Sequence, residues 1–69
     1  MVEVFVTNVN RVTDAKEIVA LLLRNFPDSK INFDLEDCDK VLRVEGIHFV
    51  TEKVMNLLKE SGFQCAILE

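Results

Sequence analysis

Apolar residues recur along this chain in six segments, and their spacing changes between the strand period of two residues and the helix period of 3.6 residues. The order of the segments predicts strand, helix, strand, strand, helix and strand, or βαββαβ. The 69 residues include only 2 Gly and 1 Pro, and no low-complexity linker separates the segments. We therefore expect residues 1–69 to form one domain.

The four predicted strands each carry apolar side chains at alternate positions. In the first strand, Val2 to Thr7, the three valines are expected to face the core and Phe5 to face outward. The acidic stretch between the second and third strands predicts a hairpin turn at Asp37, Cys38 and Asp39. The last strand is expected to begin at Phe63. The inward residues expected on the second and third strands along the chain are Ile31, Phe33, Leu35, Leu42 and Val44.

The two predicted helices each carry one apolar stripe. The first is expected to start with Thr13 or Asp14 as its N-cap and to stop before Pro27. The second is expected to end at Gly62, because glycine readily takes the left-handed conformation that follows many helices. The first stripe contains Ala15, Ile18, Val19, Leu22 and Phe26, and the second contains Val50, Val54, Leu57 and Leu58.

This order of elements has one common solution, the ferredoxin-like α+β sandwich. Its antiparallel sheet is ordered 4-1-3-2, and two helices pack on one face. The topology places the loop of residues 8–13, the Cys38 hairpin and the Gly62 turn at one end of the sheet. Pro27, His48 and both termini are expected at the other end.

The charge balance narrows the classes of partner. Twelve acidic residues against 8 basic ones give a net charge of −4, which disfavours binding to nucleic acid and to anionic lipid. The third predicted strand, residues 40–45, lacks the aromatic side chains on which RNA-recognition domains of the same element order stack bases. No apolar run approaches the roughly 20 residues of a membrane helix. We expect a cytoplasmic protein that contacts neither nucleic acid nor membrane.

Several positions resemble the pattern of heavy-metal-associated domains, the small copper and zinc chaperone modules. They are Val4, Val6, Val9, Arg11, Asp14, Ile18, Leu22, Gly62 and Phe63. The resemblance covers nearly the whole chain and implies the ferredoxin-like fold. In that family the first loop carries two cysteines three residues apart that bind a soft metal ion. Those two positions fall on Arg11 and Asp14 here, so the resemblance implies the scaffold without its metal ligands.

The chain has few other residues that carry chemistry. Cys38 and Cys65 are expected on opposite edges of the sheet, about three strand spacings apart, which is too far for a disulfide or a shared ion. Cys65 is expected in the core, and Cys38 is expected to be exposed between acidic neighbours. His48, the only histidine, is expected at the end of the sheet opposite Cys38, so no catalytic triad forms. We therefore expect no enzyme activity and no cofactor.

Two alternatives to a protein-binding role stay open: binding of a metal ion, and enzyme activity. Copper or zinc is disfavoured, but Asp37, Cys38 and Asp39 are candidate ligands of an atypical ion site. Asn8, Asn10 and Arg11 faintly resemble the phosphate cradle of an acylphosphatase-like enzyme. The leading prediction is a protein-interaction domain that binds a protein partner or a second copy through the outer sheet face. The residues predicted on that face are Phe5, Val41, Arg43, Ala66 and Leu68.

Overall fold

The computed structural model describes residues 1–36 and 38–68 and confirms the predicted order of elements. Asp37, predicted in the hairpin turn and as a candidate ion ligand, lies outside the described residues. The described elements are β1 (Val2–Thr7), α1 (Val12–Asn25), β2 (Lys30–Asp34), β3 (Val41–Glu45), α2 (Thr51–Glu60) and β4 (Cys65–Ile67).

The four described strands form one antiparallel sheet in the order β2-β3-β1-β4. This is the predicted order 4-1-3-2 read from the opposite edge. Phe5 of β1 lies opposite Leu42 of β3, and Ile31 of β2 lies opposite Val44 of β3. Strands β1 and β3 are therefore central, and β2 and β4 form the two edges.

The prediction of which face of β1 is buried was wrong. Phe5 is 0% exposed and Thr7 is 8% exposed, whereas Val2 is 46% exposed and Val4 and Val6 are only partly buried. Since directly opposite residues of an antiparallel pair point to the same face, Phe5 shares the inner face with Leu42. Burying the larger aromatic surface of Phe5 in the core is favoured over burying a valine. Phe5 is thus removed from the predicted outer face.

The core lies between the inner face of the sheet and both helices. Of the predicted α1 stripe, Ala15, Ile18, Leu22 and Phe26 are buried, and Val19 is partly buried against them. Val9 and Phe49, which lie in loops, are also buried and were not predicted as core residues. Val50 was predicted on the second helical stripe, but it is 58% exposed and precedes α2. The buried cluster is completed by Phe5, Ile31, Leu42, Val44, Val54 and Leu58.

Of the helix ends predicted from the sequence, the start of α1 differs from the prediction and the end of α2 agrees with it. Helix α1 starts at Val12 after Arg11, and no side chain caps it, so the predicted Thr13 or Asp14 cap was wrong. The end of α2 is as predicted: Gly62 has a φ of 92°. The N–H of Phe63 donates to the carbonyl of Leu58 at 3.0 Å, and the N–H of Gly62 donates to Lys59 at 3.0 Å. Strand β4 then begins at Cys65, two residues later than expected.

Candidate functional site: the open face of the sheet

Three loops meet at one end of the sheet, as the predicted topology requires. The backbone N–H of Thr7 donates to the carbonyl of Asp39 at 3.1 Å, and the Thr7 hydroxyl donates to the carbonyl of Lys40 at 2.6 Å. On the other side, the N–H of Gln64 donates to Oδ1 of Asn8 at 2.8 Å. The first loop is therefore tied to both the hairpin and the turn that leads into β4.

The positions of the family's metal-binding cysteines lie at the start of α1. Arg11 is exposed, and its carbonyl accepts the first helical hydrogen bond from Ala15 at 3.0 Å. Asp14 is partly buried in the first turn of the helix, where a carboxylate interacts favourably with the helix dipole. A guanidinium has no lone pair to give to a metal ion. Arg11 therefore cannot take the place of a thiolate ligand.

The two cysteines are free thiols that lie on either side of β1. Cys65 is opposite Thr7 in the sheet, and Thr7 bonds on its other side to Asp39, the neighbour of Cys38. Asp39 and Cys65 therefore lie about two strand spacings of ~4.8 Å apart, with β1 between them, whereas a disulfide needs Cα atoms within roughly 7 Å. Burial raises the pKa of the Cys65 thiol to about 11. At neutral pH little of it is the thiolate, so it is a poor nucleophile.

The remaining candidate ligands do not converge in the described part of the chain. Residues 1–36 and 38–68 contain no group of three or more His, Cys, Asp or Glu side chains that could hold a metal ion. Of the predicted ion site, Cys38 and Asp39 are both exposed. His48 is exposed in the loop after Gly46, and the N–H of Gly46 donates to the carbonyl of Met1 at 2.9 Å. His48 therefore lies beside the N-terminus, away from Cys38.

The outer face of the sheet carries a continuous group of aliphatic side chains. Val6 of β1 lies between Val41 of β3 and Ala66 of β4. The N–H of Leu68 donates to the carbonyl of Val4 at 2.9 Å, which continues the pairing of β4 by one step and places Leu68 on the same face. We call this surface the aliphatic patch. It consists of Val2, Val4, Val6, Val41, Ala66 and Leu68.

The aliphatic patch is separate from the core and borders a polar strip. None of its residues belongs to the buried cluster or to the side chains packed against that cluster. Toward β2, Lys30 lies opposite Glu45, and Asn32 lies opposite Arg43. Arg43 is exposed and is also the partner of Val4 across β1. The patch thus has a guanidinium at the middle of one side.

Two open grooves flank helix α1. One, of about 400 Å³, lies between α1 and β2 and is mostly apolar. Its lining residues are Val12, Ala15, Lys16, Val19, Phe33 and Leu35. The other, also of about 400 Å³, lies between α1 and the end of α2, and Asp14, Glu17 and Arg24 contribute charged walls to it.

Comparison with known proteins does not assign the chain to a family. No protein-family model matches the sequence, and no curated protein matches it. Within residues 1–36 and 38–68, none of the helices is long and apolar enough to cross a membrane.

Proposed function

We propose that this chain is a small non-enzymatic protein-binding domain that acts through the aliphatic patch. Its sheet order and element order fit a ferredoxin-like sandwich, and its positions resemble a heavy-metal-associated domain that lacks the thiol pair. The observation that carries the proposal is the uncovered outer face, where six aliphatic side chains adjoin one another across three strands. Contiguous exposed apolar surface of this kind is typical of protein-interaction sites.

The composition of the face indicates the chemistry of the partner. Val2 is 46% exposed and Leu68 is 44% exposed, so the patch offers apolar area that a partner can remove from water. Arg43 lies beside Val4 at the border between the aliphatic patch and the polar strip. Arginine next to buried apolar contacts is frequently a hot spot, a residue that contributes much of the binding free energy of an interface. We therefore expect a protein that presents aliphatic side chains and a carboxylate placed to pair with Arg43.

The reactive residues support a role without catalysis. Cys65 is held protonated by burial, and His48 is at the other end of the sheet from the first loop. Nucleophilic catalysis needs a base within hydrogen-bond reach of its nucleophile. Arg11 and Asp14, at the start of α1, stand where the resemblance would place the thiolates of a heavy-metal-associated domain, so delivery of a soft metal ion is not the proposed role.

Site-specific photo-crosslinking in cells tests the binding surface. A photoreactive residue at Val4 is compared with the same residue at Val50, which is 58% exposed but lies outside the patch. We expect one defined adduct from position 4, and we expect Arg43→Glu in the same protein to abolish it. Equal labelling from positions 4 and 50, or an adduct that is indifferent to Arg43→Glu, would remove the support for this surface.

A metal titration tests the non-metal part of the proposal. Isotope-labelled protein is titrated with Cu(I) and with Zn(II) under reducing conditions, and backbone amide shifts are followed. We expect no saturable shifts at residues 8–14 or at Cys38 and Asp39. Stoichiometric shifts at either place would show that the chain binds metal through unusual ligands and would contradict the proposal.

A further inference from the structure

Strand β2 is an open edge with a self-complementary sequence. In the described sheet it pairs with β3 on one side only, so alternate N–H and C=O groups of Lys30–Asp34 point away from the sheet. Edge strands commonly carry charges that discourage pairing with another chain. Here the charges at the two ends of the strand are opposite in sign, Lys30 at the start and Asp34 at the end.

When two β2 strands pair antiparallel about a two-fold axis at Asn32, each residue of the strand lies opposite a residue of matching polarity. Lys30 of each copy then lies opposite Asp34 of the other, and Ile31 of each copy lies opposite Phe33 of the other. The charged pairs fall on the outer face and the apolar pairs on the inner face, because side chains alternate along a strand. Asn32 faces its own counterpart at the centre. A heterologous partner would need to match this pattern, whereas a second copy already does.

We propose that the protein forms a two-fold symmetric homodimer by pairing β2 with β2 of a second copy. Four strands from each copy make one continuous antiparallel sheet of eight strands. Since the two-fold axis is perpendicular to the sheet, both helical layers lie on the same side. The dimer uses a different surface from the aliphatic patch, which stays exposed on the opposite side of the joined sheets.

The groove beside β2 gives the dimer a second contact layer. Val12 and Val19 of α1 line this groove together with Phe33 of β2. Val12 is 61% exposed, and Leu23, one turn beyond Val19, is 39% exposed. The two-fold axis brings α1 of the two copies alongside each other in opposite directions. The apolar walls of both grooves are then removed from water.

The charges at the strand ends are compatible with pairing between copies. Asp34 already accepts the N–H of Glu36 through Oδ1 at 3.2 Å, and a carboxylate has about four lone-pair sites in all. In the dimer the ammonium group of Lys30 from the second copy lies opposite this carboxylate, as an opposite-charge cross-strand pair. The chain as a whole carries a charge of −4, yet the strand that meets its copy has one base and one acid. Local complementarity offsets the general repulsion between two acidic molecules.

The size of the contact predicts a weak dimer. The β2 strand and the α1 segment from Val12 to Leu23 are both about 17 Å long. Two such layers, about 10 Å apart, give a contact of roughly a few hundred Å² on each copy, which is below the ~1,200 Å² of standard specific complexes. We therefore expect association at roughly micromolar to millimolar protein, with exchange between monomer and dimer.

Charge reversal with mixing tests the register. Sedimentation equilibrium is measured for the full chain, for Lys30→Glu and for Asp34→Lys. Each single reversal creates two like-charge pairs in the homodimer, so we expect association to weaken by about tenfold or more. A 1:1 mixture of the two variants restores both opposite-charge pairs, so the mixture is expected to associate about as well as the original chain. Circular dichroism checks that each variant is folded.

A disulfide trap tests the two-fold axis directly. Asn32→Cys places two thiols opposite each other at about 5 Å between Cα atoms, within disulfide range. Arg43→Cys is the matched control. Arg43 lies on β3, opposite Asn32 and one strand further from the two-fold axis, so its two copies are not adjacent in the dimer. Both variants carry Cys38→Ser, which removes the exposed native thiol. Mild oxidation is expected to crosslink the Asn32→Cys protein rapidly and the Arg43→Cys protein at the slow rate of random collisions.

Three results would overturn the dimer. One is a monomer at every concentration up to about 1 mM, beyond the weakest affinity that the interface predicts. Another is failure of the pairing register, seen either as a dimer that neither reversal weakens or as equal crosslinking of the two cysteine variants. The third is a dimer that Val4→Lys abolishes and Lys30→Glu leaves intact. That last outcome would place self-association on the aliphatic patch, so it would contradict the β2 dimer while supporting the proposed binding surface.

Discussion

One face of β1 carries three valines and the other carries Glu3, Phe5 and Thr7, yet the fold buries the second face. One face places Phe5 and Thr7 beneath the helices with almost no exposure, and the other leaves Val2, Val4 and Val6 at the surface. Three valines would normally mark the core face of a strand. Here the face with a single phenylalanine and a hydrogen-bonded threonine is buried instead. An apolar face that the fold leaves uncovered is available to a partner.

The largest expected effect comes from truncating the buried face of β1. Phe5→Ala should lower the free energy of unfolding by about 3–5 kcal/mol, because it removes a fully buried ring and leaves a cavity. Stability of a domain this small is itself only about 3–10 kcal/mol. Val4→Ala, one residue along on the outer face, should cost less than about 1 kcal/mol. Urea denaturation of both variants measures the contrast, and equal losses would contradict the assignment of the faces.

A smaller loss is expected at the second inward position. The Thr7 hydroxyl donates to the carbonyl of Lys40 and accepts the N–H of Val9 at 3.2 Å. Thr7→Val keeps the shape and leaves both backbone groups without this partner, at a cost of about 1–3 kcal/mol. Thr7→Ser retains the hydroxyl and is the control. If Thr7→Val were as stable as the original chain in urea, the hydroxyl would not hold the first loop to the hairpin.

Cys65 and Ala66 extend the comparison to β4, since they are adjacent residues on opposite faces. The raised pKa of Cys65 means that the unfolded chain releases its thiol proton at lower pH than the folded one. Stability from this group is therefore complete below pH 9.0 and is lost as pH rises toward about 11. Denaturation midpoints measured across this range should fall less in Cys65→Ala than in the original chain. Parallel pH profiles would contradict burial of the thiol.

Alkylation supplies a companion test of the same strand. With Cys38→Ser in the background, iodoacetamide should react slowly with Cys65, because little thiolate forms at pH 8. A thiol introduced by Ala66→Cys, in a chain that also carries Cys65→Ala, should react much faster from the open face. Mass spectrometry follows both reactions. Faster modification of Cys65 would mean that the two faces of β4 are assigned the wrong way round.

The smallest expected effect on stability comes from charging the open face. Val6→Lys should change the free energy of unfolding by less than about 1 kcal/mol, because a partly exposed lysine can extend its ammonium into water. The same change should weaken partner binding, since it puts a charge in the middle of the aliphatic patch. Thermal melting and the Val4 photo-crosslink are the two readouts. A large drop in melting temperature would show that Val6 belongs to the core.

Much of the fold follows from residue spacing, and the errors have physical causes. The α1 stripe and the Gly62 end of α2 were predicted because each depends on a strong local signal. The face of β1 was not, because alternation favoured the three valines, whereas tertiary packing buried Phe5. Val9 and Phe49 were missed because they are core residues in loops, where no period marks them. The start of α1 was missed because Arg11 precedes it without a capping side chain.

The candidate site was predictable only in part. Val41, Arg43, Ala66 and Leu68 were assigned to the outer face from alternation, and the strand register places them there. The valines that complete the patch depend on the orientation of β1, which the sequence pattern predicted the wrong way round. Residues 30–34 show the complementarity of β2 with itself, but this pattern predicts pairing between copies only once β2 is known to be an edge strand.

Solvent accessibility of the β1 side chains tests the central claim most directly. A soluble paramagnetic gadolinium chelate is added to labelled protein, and the broadening of methyl and aromatic signals is measured. The account predicts strong broadening for the Val4 and Val6 methyl groups and little for the Phe5 ring. Protection of both valines together with broadening of Phe5 would contradict it, because the open face of the sheet would then not carry the aliphatic patch.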